Sequence, residues 1–161
     1  LRPPTPGAIQ TFAIWDYKTG SARDYDVGDP FRQGRVLQPL LYLTIAEHRL
    51  QQVIPSGANV MQFGFFFTSR RESGRRIDWP RDVLMSGLDV LTKLCQLIGD
   101  GVYLATNAKE DCKYCNYQTI CGDYAAVANN SQRKLQQYLP VLVPLKELRL
   151  GQPKKSSKKK A

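Results

Sequence analysis

Hydrophobic and polar positions follow two periods along this chain, and each period predicts one kind of element. Residues 9–18 and 60–68 are dense in β-branched and aromatic side chains and are bounded by polar turns, which predicts two strands. Apolar side chains recur at helical spacing over 35–50 and 82–98, and a third helix is predicted over 123–138. Because strands and helices alternate in this order, the pattern indicates an α/β fold.

The segments outside these elements are predicted to be irregular. Residues 1–8 are rich in proline and glycine and are typical of a linker. Residues 69–81 are basic and irregular, and residues 100–121 form a loop that contains three cysteines. Residues 140–161 are predicted to be an extended segment that ends in a disordered basic tail. A chain of 161 residues suits a single domain, which we place at 9–139.

The charge balance favours an anionic partner, and DNA first. The formal net charge is +9, and lysines near the C-terminus supply part of it. Four arginines of the basic segment are candidates for phosphate contacts: Arg70, Arg71, Arg75 and Arg76. No apolar run approaches the length that spans a bilayer, so we expect no membrane partner. The sequence shows no signal peptide either, and we expect a cytoplasmic protein associated with the nucleoid.

The first predicted strand ends in Asp16-Tyr17-Lys18. Side chains two residues apart on a strand share a face, so the carboxylate and the ammonium can converge on one point. A carboxylate can hold Mg²⁺ or Mn²⁺, and a nearby lysine can orient or activate the water that attacks a phosphodiester. An ordinary ion pair at the end of a strand is the alternative that this tripeptide leaves open.

The first predicted helix carries a second pair of candidate residues. Gln38 and Tyr42 are four residues apart and therefore share a helix face, where they could point into a cleft near a phosphate. The alternative is a glutamine at the helix boundary and a half-buried tyrosine. Pro39 is expected in the first turn, so the helix is predicted to begin near Leu37.

Three of the four cysteines, Cys112, Cys115 and Cys121, lie within ten residues. Clustered cysteines are more often metal ligands than disulfides in an intracellular chain, and zinc and an iron–sulfur cluster are both candidates. Three thiolates are one short of the usual four. Cys95 lies on the apolar stripe of the helix that Asp82 is expected to cap, so we predict that it is a small core residue rather than the fourth ligand.

Two of these motifs together resemble the PD-(D/E)XK nuclease superfamily. Residues 12–20 are similar to its second motif, which in the RecB and AddB branch is an apolar strand that ends in Asp-Tyr-Lys. That branch also carries Leu-Gln-x-x-x-Tyr on the next helix, which Leu37, Gln38 and Tyr42 match in order and distance. The resemblance covers roughly residues 9–124. It implies a restriction-endonuclease-like core, in which helices flank a mixed sheet, and metal-dependent hydrolysis of DNA in double-strand-break repair and recombination.

The resemblance also implies a role for each motif residue. Asp16 would be a ligand of Mg²⁺ or Mn²⁺, Tyr17 would offer the metal its backbone carbonyl, and Lys18 would serve catalysis. Gln38 and Tyr42 would help to arrange the active site and the DNA. The family further implies that the parent protein acts beside a helicase or within a helicase–nuclease pair. The sequence leaves open whether DNA is cut from an end or internally.

The cysteine run at 112–121 is similar to one that AddB-type nucleases place after the nuclease core. In that family these three cysteines, with one far upstream, hold a [4Fe–4S] cluster that pins the C-terminal end onto the core. The resemblance implies that Cys112, Cys115 and Cys121 are structural ligands of such a cluster. It also implies that the fourth cysteine precedes Leu1.

The chain departs from the family in its first catalytic acid, which the family carries on a strand before Asp-x-Lys. No residue before Asp16 is acidic, and Asp24, Asp26 and Asp29 follow the strand and do not fit the pattern. Because phosphodiester cleavage needs two acids around the ion, we expect 9–139 to be the C-terminal part of a nuclease domain that is truncated at its N-terminus. We predict little or no nuclease activity for the isolated chain.

Three other interpretations compete with this one. A zinc-stabilised nucleic-acid-binding module explains the charge and the cysteines. It does not explain why the Asp-x-Lys and Gln-x-x-x-Tyr motifs occur together. A nuclease-dead scaffold is disfavoured by the intact Asp16 and Lys18. Lys18-Thr19-Gly20 also matches the strand motif of penicillin-binding proteins, but Ser-x-x-Lys occurs only in the lysine tail, so we reject that class.

Overall fold

The computed structural model describes residues 7–25, 27–137 and 139–151, with only the backbone described at residue 24. Most of the predicted N-terminal linker and the lysines of the predicted tail lie outside these residues. Within the described part of the chain, no helix is long and apolar enough to cross a membrane. The chain divides into two compact units, Leu1–Leu91 and Thr92–Ala161.

The first unit contains a mixed sheet of three described strands. The edge strand β1 (Gln10–Lys18) runs parallel to the central β2 (Ala58–Phe67). The other edge strand, β3 (Arg76–Pro80), runs antiparallel to β2. The strands predicted at 9–18 and 60–68 are therefore confirmed, within two residues at every end.

Helix α1 (Gln38–Val53) connects the two parallel strands and packs against β2. Parallel neighbours need such a crossover, because the chain must return to the edge from which it started. The helix begins after Leu37, as predicted, and Pro39 lies in its first turn, where the missing N–H costs no helical hydrogen bond. It lies three residues later at both ends than the predicted 35–50.

The core of the first unit lies between α1 and one face of the sheet. A register shift between Phe12 and Ala13 adjusts the pairing of β1 with β2, and beyond it alternate residues of β2 point toward α1. The buried core side chains of these elements are Leu40, Leu43, Val60, Phe63, Phe65, Phe67, Ile77 and Trp79. Burial of each stabilises the fold by about 1.5–3 kcal/mol. Trp79 is in the core, and its indole N–H donates to the carbonyl of Val27 at 2.7 Å.

A part-buried polar cluster fixes α1 against the sheet. Arg81 Nη1 donates to Glu47 Oε1 at 2.6 Å and to the carbonyl oxygen of Val60 at 3.1 Å. The backbone N–H of Val60 donates to the same Glu47 oxygen at 3.0 Å. Because both charges are paired and hydrogen-bonded, this cluster holds helix and strand together more firmly than a solvated ion pair would.

The basic segment at 69–81 is a hairpin turn followed by β3, and the prediction that it is irregular is wrong. Ile77 and Trp79 point into the core, while Arg76 and Asp78 alternate with them. The period of two is present in the sequence, but it covers only five residues and is bordered by arginines that obscure it. Pairing with β2 makes these residues a strand, and a proline is tolerated at its end because the strand is at the sheet edge.

The helix predicted at 82–98 is two helices, α2 (Arg81–Met85) and α3 (Gly87–Gly99). The N-cap of α2 is Pro80, so the prediction that Asp82 is the cap is wrong, although its charge still opposes the helix dipole in the first turn. At the break, a Cβ on Gly87 would lie 2.5 Å from Cζ of Phe31. Only a glycine permits so close an approach at this point.

The break also changes which side chains of this segment are buried. Leu84 is buried, but Leu88, Cys95 and Ile98, which recur with it at helical spacing over 82–98, are exposed. The prediction that Cys95 is a core residue is therefore wrong. One continuous helix would keep Leu84, Leu88, Cys95 and Ile98 on one face. Because α3 begins after Ser86 as a separate helix, it packs Val90 against the core instead.

The second unit consists of the rest of α3, the cysteine loop and three further described helices. These helices are α4 (Gln118–Cys121), α5 (Tyr124–Gln136) and α6 (Val143–Leu150). Asp123 caps α5 by accepting from the backbone N–H groups of Ala125 and Ala126, which confirms the predicted start of that helix.

Helix α6 replaces most of the extended segment that was predicted from 140. Pro144 lies in its first turn, so this proline begins the helix rather than interrupting it. Leu148 is buried, and Glu147 pairs with Lys93 at 3.0 Å. The predicted domain boundaries at 9–139 stay a prediction, whereas the α/β class with helices on a mixed sheet is confirmed.

Candidate functional site

The C-terminal end of β1 places Asp16 and Lys18 side by side. They lie opposite Phe65 and Phe67 of β2, whose side chains point toward α1. Lys18 Nζ lies 2.8 Å from Asp16 Oδ2, and the two side chains are only 25% and 22% exposed. Partial burial weakens solvent screening, so this pair is held more firmly than a fully solvated one at a strand end.

Gln38, the first residue of α1, closes a triangle with this ion pair. Its Oε1 accepts from Lys18 Nζ at 3.3 Å, and its Nε2 donates to Asp16 Oδ2 at 3.1 Å. One side-chain amide therefore contacts both charged groups, which lie twenty and twenty-two residues away in sequence. The structure thus brings the strand motif and the helix motif together in one Asp16–Lys18–Gln38 triangle.

Aromatic rings line the triangle on its protein side. Lys18 Nζ lies 4.8 Å from the ring centroid of the buried Phe65, a distance at which the ring attracts the ammonium. Tyr42, one turn along α1 from Gln38, packs edge-on against Phe63 with ring centroids 5.8 Å apart. Tyr42 is 45% exposed, and its role at the site stays a prediction.

The triangle offers a cation one carboxylate. Lys18 and Gln38 both contact Oδ2 of Asp16, so Oδ1 is the oxygen that neither contact engages. The next residue, Tyr17, adds a backbone carbonyl at the same strand end. Mg²⁺ is held in proteins by one or two carboxylates together with waters and substrate oxygens. The donor set therefore fits one half of a Mg²⁺ or Mn²⁺ site.

No second acid completes the site within the described residues. These residues contain no group of three or more His, Cys, Asp or Glu side chains that could hold a metal ion. Asp29, in the loop after β1, accepts from the backbone N–H of Gln33 at 3.1 Å, which is a local turn contact. The Asp24 side chain and Asp26 lie outside the described residues.

The turn between β2 and β3, residues 68–75, is attached to the end of β1, and we call it the arginine turn. The backbone N–H of Thr68 donates to the carbonyl of Lys18 at 2.9 Å. Farther along the turn, Glu72 Oε1 accepts from the hydroxyl of Ser21 at 3.1 Å. The four arginines that the sequence selected for phosphate contacts are carried by this turn and the start of β3, and all are exposed: Arg70, Arg71, Arg75 and Arg76.

The charge of Glu72 is stabilised by these attachments. A hydrogen bond from the backbone N–H of Ala22 lowers the pKa of Glu72 most, and desolvation opposes it. The Ser21 hydroxyl and the charges of Arg75 and Arg71 lower the pKa further. The ionised carboxylate therefore holds the arginine turn against the segment that follows Lys18.

The cysteines lie near one another in the second unit without forming a metal-binding group among the described residues. Cys112 and Cys115 are half-buried, Cys121 is exposed, and none is in a disulfide. Desolvation raises the pKa of the Cys112 thiol, and the nearby Cys115 and Cys121 raise it further. A bound metal would reverse this effect, because it stabilises the thiolate.

Two contacts of the site have no signal in the sequence. Phe65 lies under Lys18, and Glu72 connects the arginine turn to Ser21. Phe65 belongs to a run of three phenylalanines, of which periodicity alone does not select one. Glu72 is a single acid among arginines, and only the hairpin brings it to the end of β1.

Comparison with known proteins identifies the family. The sequence pattern of the PD-(D/E)XK nuclease superfamily matches residues 6–122, well over half of the chain. The match includes the triangle and the cysteine run. No curated protein and no solved structure matches the chain. The superfamily that the motifs resemble is thus confirmed, and the mixed sheet with its helices is consistent with a restriction-endonuclease-like core.

Proposed function

This chain belongs to the PD-(D/E)XK nuclease superfamily, and we propose that it is the C-terminal part of a Mg²⁺- or Mn²⁺-dependent DNA nuclease of the RecB/AddB type. The proposal rests on one observation, the Asp16–Lys18–Gln38 triangle at the end of β1. The parent protein acts in double-strand-break repair and recombination, beside a helicase or within a helicase–nuclease pair. The superfamily itself implies a nucleic-acid substrate.

Each member of the triangle has a task in hydrolysis. Asp16 and the carbonyl of Tyr17 would hold the cation, which would neutralise charge that develops on the phosphodiester. Lys18 Nζ lies 2.8 Å from the Asp16 carboxylate, so it can orient a water held at the same point and favour its deprotonation. The water oxygen bonds to phosphorus, one P–O ester bond breaks, and the leaving oxygen takes a proton.

Gln38 positions the two charged groups. Its amide holds Asp16 and Lys18 in fixed relation, so little reorganisation is needed when substrate binds. Tyr42, one turn along the same helix and half exposed, contacts the DNA. The second acid of the site comes from sequence outside residues 1–161, so this chain alone has little or no activity.

Cleavage of labelled single-stranded DNA tests the proposal. The assay compares this chain with a chain extended upstream until it includes an acid that joins the site, both with Mg²⁺ or Mn²⁺. We expect the extended chain to cut and Lys18→Ala to lower its rate about 100-fold or more. Lys134→Ala, at an exposed lysine in the last turn of α5, is the matched control and leaves the rate unchanged.

Two results would contradict the proposal. A Lys18→Ala variant that cuts at the rate of Lys134→Ala would remove the catalytic role of Lys18. An extended chain that binds DNA but does not cut would identify a nuclease-dead scaffold or a binding module, and the triangle would then be a structural ion pair. Detection of single nucleotides or of longer fragments among the products decides between exonuclease and endonuclease.

The cysteine run supports a second part of the proposal. Cys112, Cys115 and Cys121 are three ligands of a structural [4Fe–4S] cluster whose fourth cysteine lies outside this chain. Desolvation chiefly raises the pKa of the Cys112 thiol, and Cys115 and Cys121 lie near enough to raise it further. Three neighbouring thiols without disulfides suit a soft metal. Iron and inorganic sulfide are expected in the extended protein purified without oxygen. Zinc without sulfide would favour the zinc-stabilised module instead.

A further inference from the structure

The sheet face opposite α1 carries aromatic side chains and an arginine in mutual contact. Trp15 and Tyr17 alternate with Asp16 and Lys18 on β1, so they point away from the triangle. Phe66 is paired with Tyr17, and Arg76 is paired with Phe66 across the sheet. We call Trp15, Tyr17, Phe66 and Arg76 the aromatic strip.

The contacts within the aromatic strip keep it in place. Tyr17 and Phe66 meet edge to face, with ring centroids 5.5 Å apart. The guanidinium carbon of Arg76 lies 5.4 Å from the ring centroid of Trp15 and 5.2 Å from that of Phe66. Trp15 packs closely onto β2, because a Cβ on Gly64 would lie 2.7 Å from its Cζ3.

Much of this surface is nevertheless accessible. Tyr17 is 69% exposed, Arg76 is exposed, and Trp15 and Phe66 are half-buried. The strip therefore presents aromatic faces and a planar cation to solvent. Exposed aromatic groups of this kind are enriched where proteins bind partners, because each ring gives a large contact area at low entropic cost.

Charge complementarity indicates what the strip binds. The arginine turn adjoins it, since a Cβ on Gly74 would lie 3.7 Å from the ring of Phe66. The same turn carries three further exposed cations, at Arg70, Arg71 and Arg75. A ligand that carries both planar rings and repeated negative charges matches this surface, and a nucleic acid strand has both.

We propose that the aromatic strip binds single-stranded nucleic acid, with bases stacked on Tyr17, Phe66 and Arg76 and phosphates on the arginine turn. Paired bases of a duplex are already stacked on each other, so only unpaired bases offer their faces to the rings. Tyr17 lies between Asp16 and Lys18 in sequence but on the opposite face of the sheet, so a strand on the strip would reach the triangle around the C-terminal end of β1. The inference that the bound strand is a substrate for the triangle rests on the proposed nuclease function. The binding of single-stranded nucleic acid by the strip does not depend on that function.

Fluorescence anisotropy in EDTA measures this binding without cleavage. The probes are a labelled oligothymidylate of about 20 nucleotides and a duplex of equal length. We expect the single strand to bind more tightly than the duplex, and Tyr17→Ala to weaken single-strand binding about tenfold. Tyr17→Phe keeps the ring face and the affinity. Tyr103→Ala, at an exposed tyrosine outside the strip, is the control and changes nothing.

Arg76→Lys is a second variant that keeps the charge but loses the planar group. It is expected to weaken single-strand binding severalfold and duplex binding little. Equal affinity for the two probes, or Tyr17→Ala binding like Tyr103→Ala, would overturn the proposal. So would a concentration-dependent dimer that Tyr17→Ala abolishes, since a second copy of the chain would then cover the strip.

The two proposals fail in different assays. If the strip variants bind normally while cleavage by the extended chain depends on Lys18, the strip proposal is wrong and the nuclease function stands. If the extended chain never cuts but Tyr17→Ala loses single-strand binding, the strip stands and the nuclease function is wrong.

Discussion

Gln38 makes the contacts that turn two sequence motifs into one site. Its amide oxygen faces the ammonium of Lys18, and its amide nitrogen faces the carboxylate of Asp16. An amide is suited to this position because it can accept from a cation and donate to an anion at once. A carboxylate in its place would repel Asp16, and an apolar group would leave both charges with one partner fewer.

Replacement of Gln38 tests this positioning role. Gln38→Leu removes both hydrogen bonds but keeps a side chain of similar size, so we expect cleavage by the extended chain to fall about 10–100-fold with little change in Tm. Gln136→Leu, at an exposed position of α5, is the matched control for the change of polarity. Cleavage rates and thermal melts of both variants are compared. An unchanged rate for Gln38→Leu would leave Gln38 with a structural role only.

At the scale of elements, the break between α2 and α3 is set by close packing at one glycine. We predict that Gly87→Ala lowers the free energy of unfolding by about 1–3 kcal/mol, because its Cβ would overlap Phe31. Gly99→Ala is the control in the same helix, since a Cβ there would have nothing within 4 Å. Denaturant unfolding measures both. The expectation fails if the two variants are equally stable, since the packing at Phe31 would then be able to relax.

The arginine turn is the second element whose position depends on one side chain. The pKa of Glu72 is lowered, chiefly by the hydrogen bond from Ala22, so its stabilising contribution is present above the pKa of a glutamate in an unfolded chain. This contribution is lost as the pH falls through the lower pKa of the folded state. We therefore expect Glu72→Gln to have a lower Tm than the parent at about pH 7 and the same Tm at about pH 3.

Thermal melts across this pH range check the Glu72 prediction, with Glu110→Gln as the control at an exposed glutamate outside the arginine turn. We do not expect the Tm difference between Glu110→Gln and the parent to be present at about pH 7 and absent at about pH 3. A Glu72→Gln variant as stable as the parent at neutral pH would show that the turn is held by other contacts, such as that between Thr68 and Lys18.

At the scale of the whole molecule, a net charge of +9 makes nucleic-acid affinity depend on salt. Each arginine that contacts a phosphate releases counterions, so its removal lowers the slope of log K against log salt by about 0.7 for a single strand. We expect this change for Arg71→Ala, on the arginine turn, and none for Arg49→Ala, at an exposed position of α1. Equal slopes for the two variants would place the phosphate contacts elsewhere on the chain.

Local sequence patterns were sufficient to predict part of the fold. The two longer strands, α1 with Pro39 in its first turn, and the start of α5 near residue 123 were predicted because their signals lie within a few neighbouring residues. The family was identified for the same reason, since its motifs are short and separated by a fixed distance. The prediction of a single helix at 82–98 was wrong because close packing at Gly87 accompanies a break in it. The prediction of an extended segment from 140 was wrong because Pro144 lies in the first turn of a helix, where proline is tolerated.

The assembly of the site depends on tertiary contacts that local sequence patterns do not specify. The sequence placed Asp16, Lys18 and Gln38 in two elements, but the parallel crossover through α1 brings Gln38 within hydrogen-bond distance of both charged groups. Pairing across the sheet likewise made a strand of β3 and set Arg76 against the aromatic rings. These contacts join residues that are far apart in sequence, and periodicity records only which face a residue occupies, not what lies opposite it.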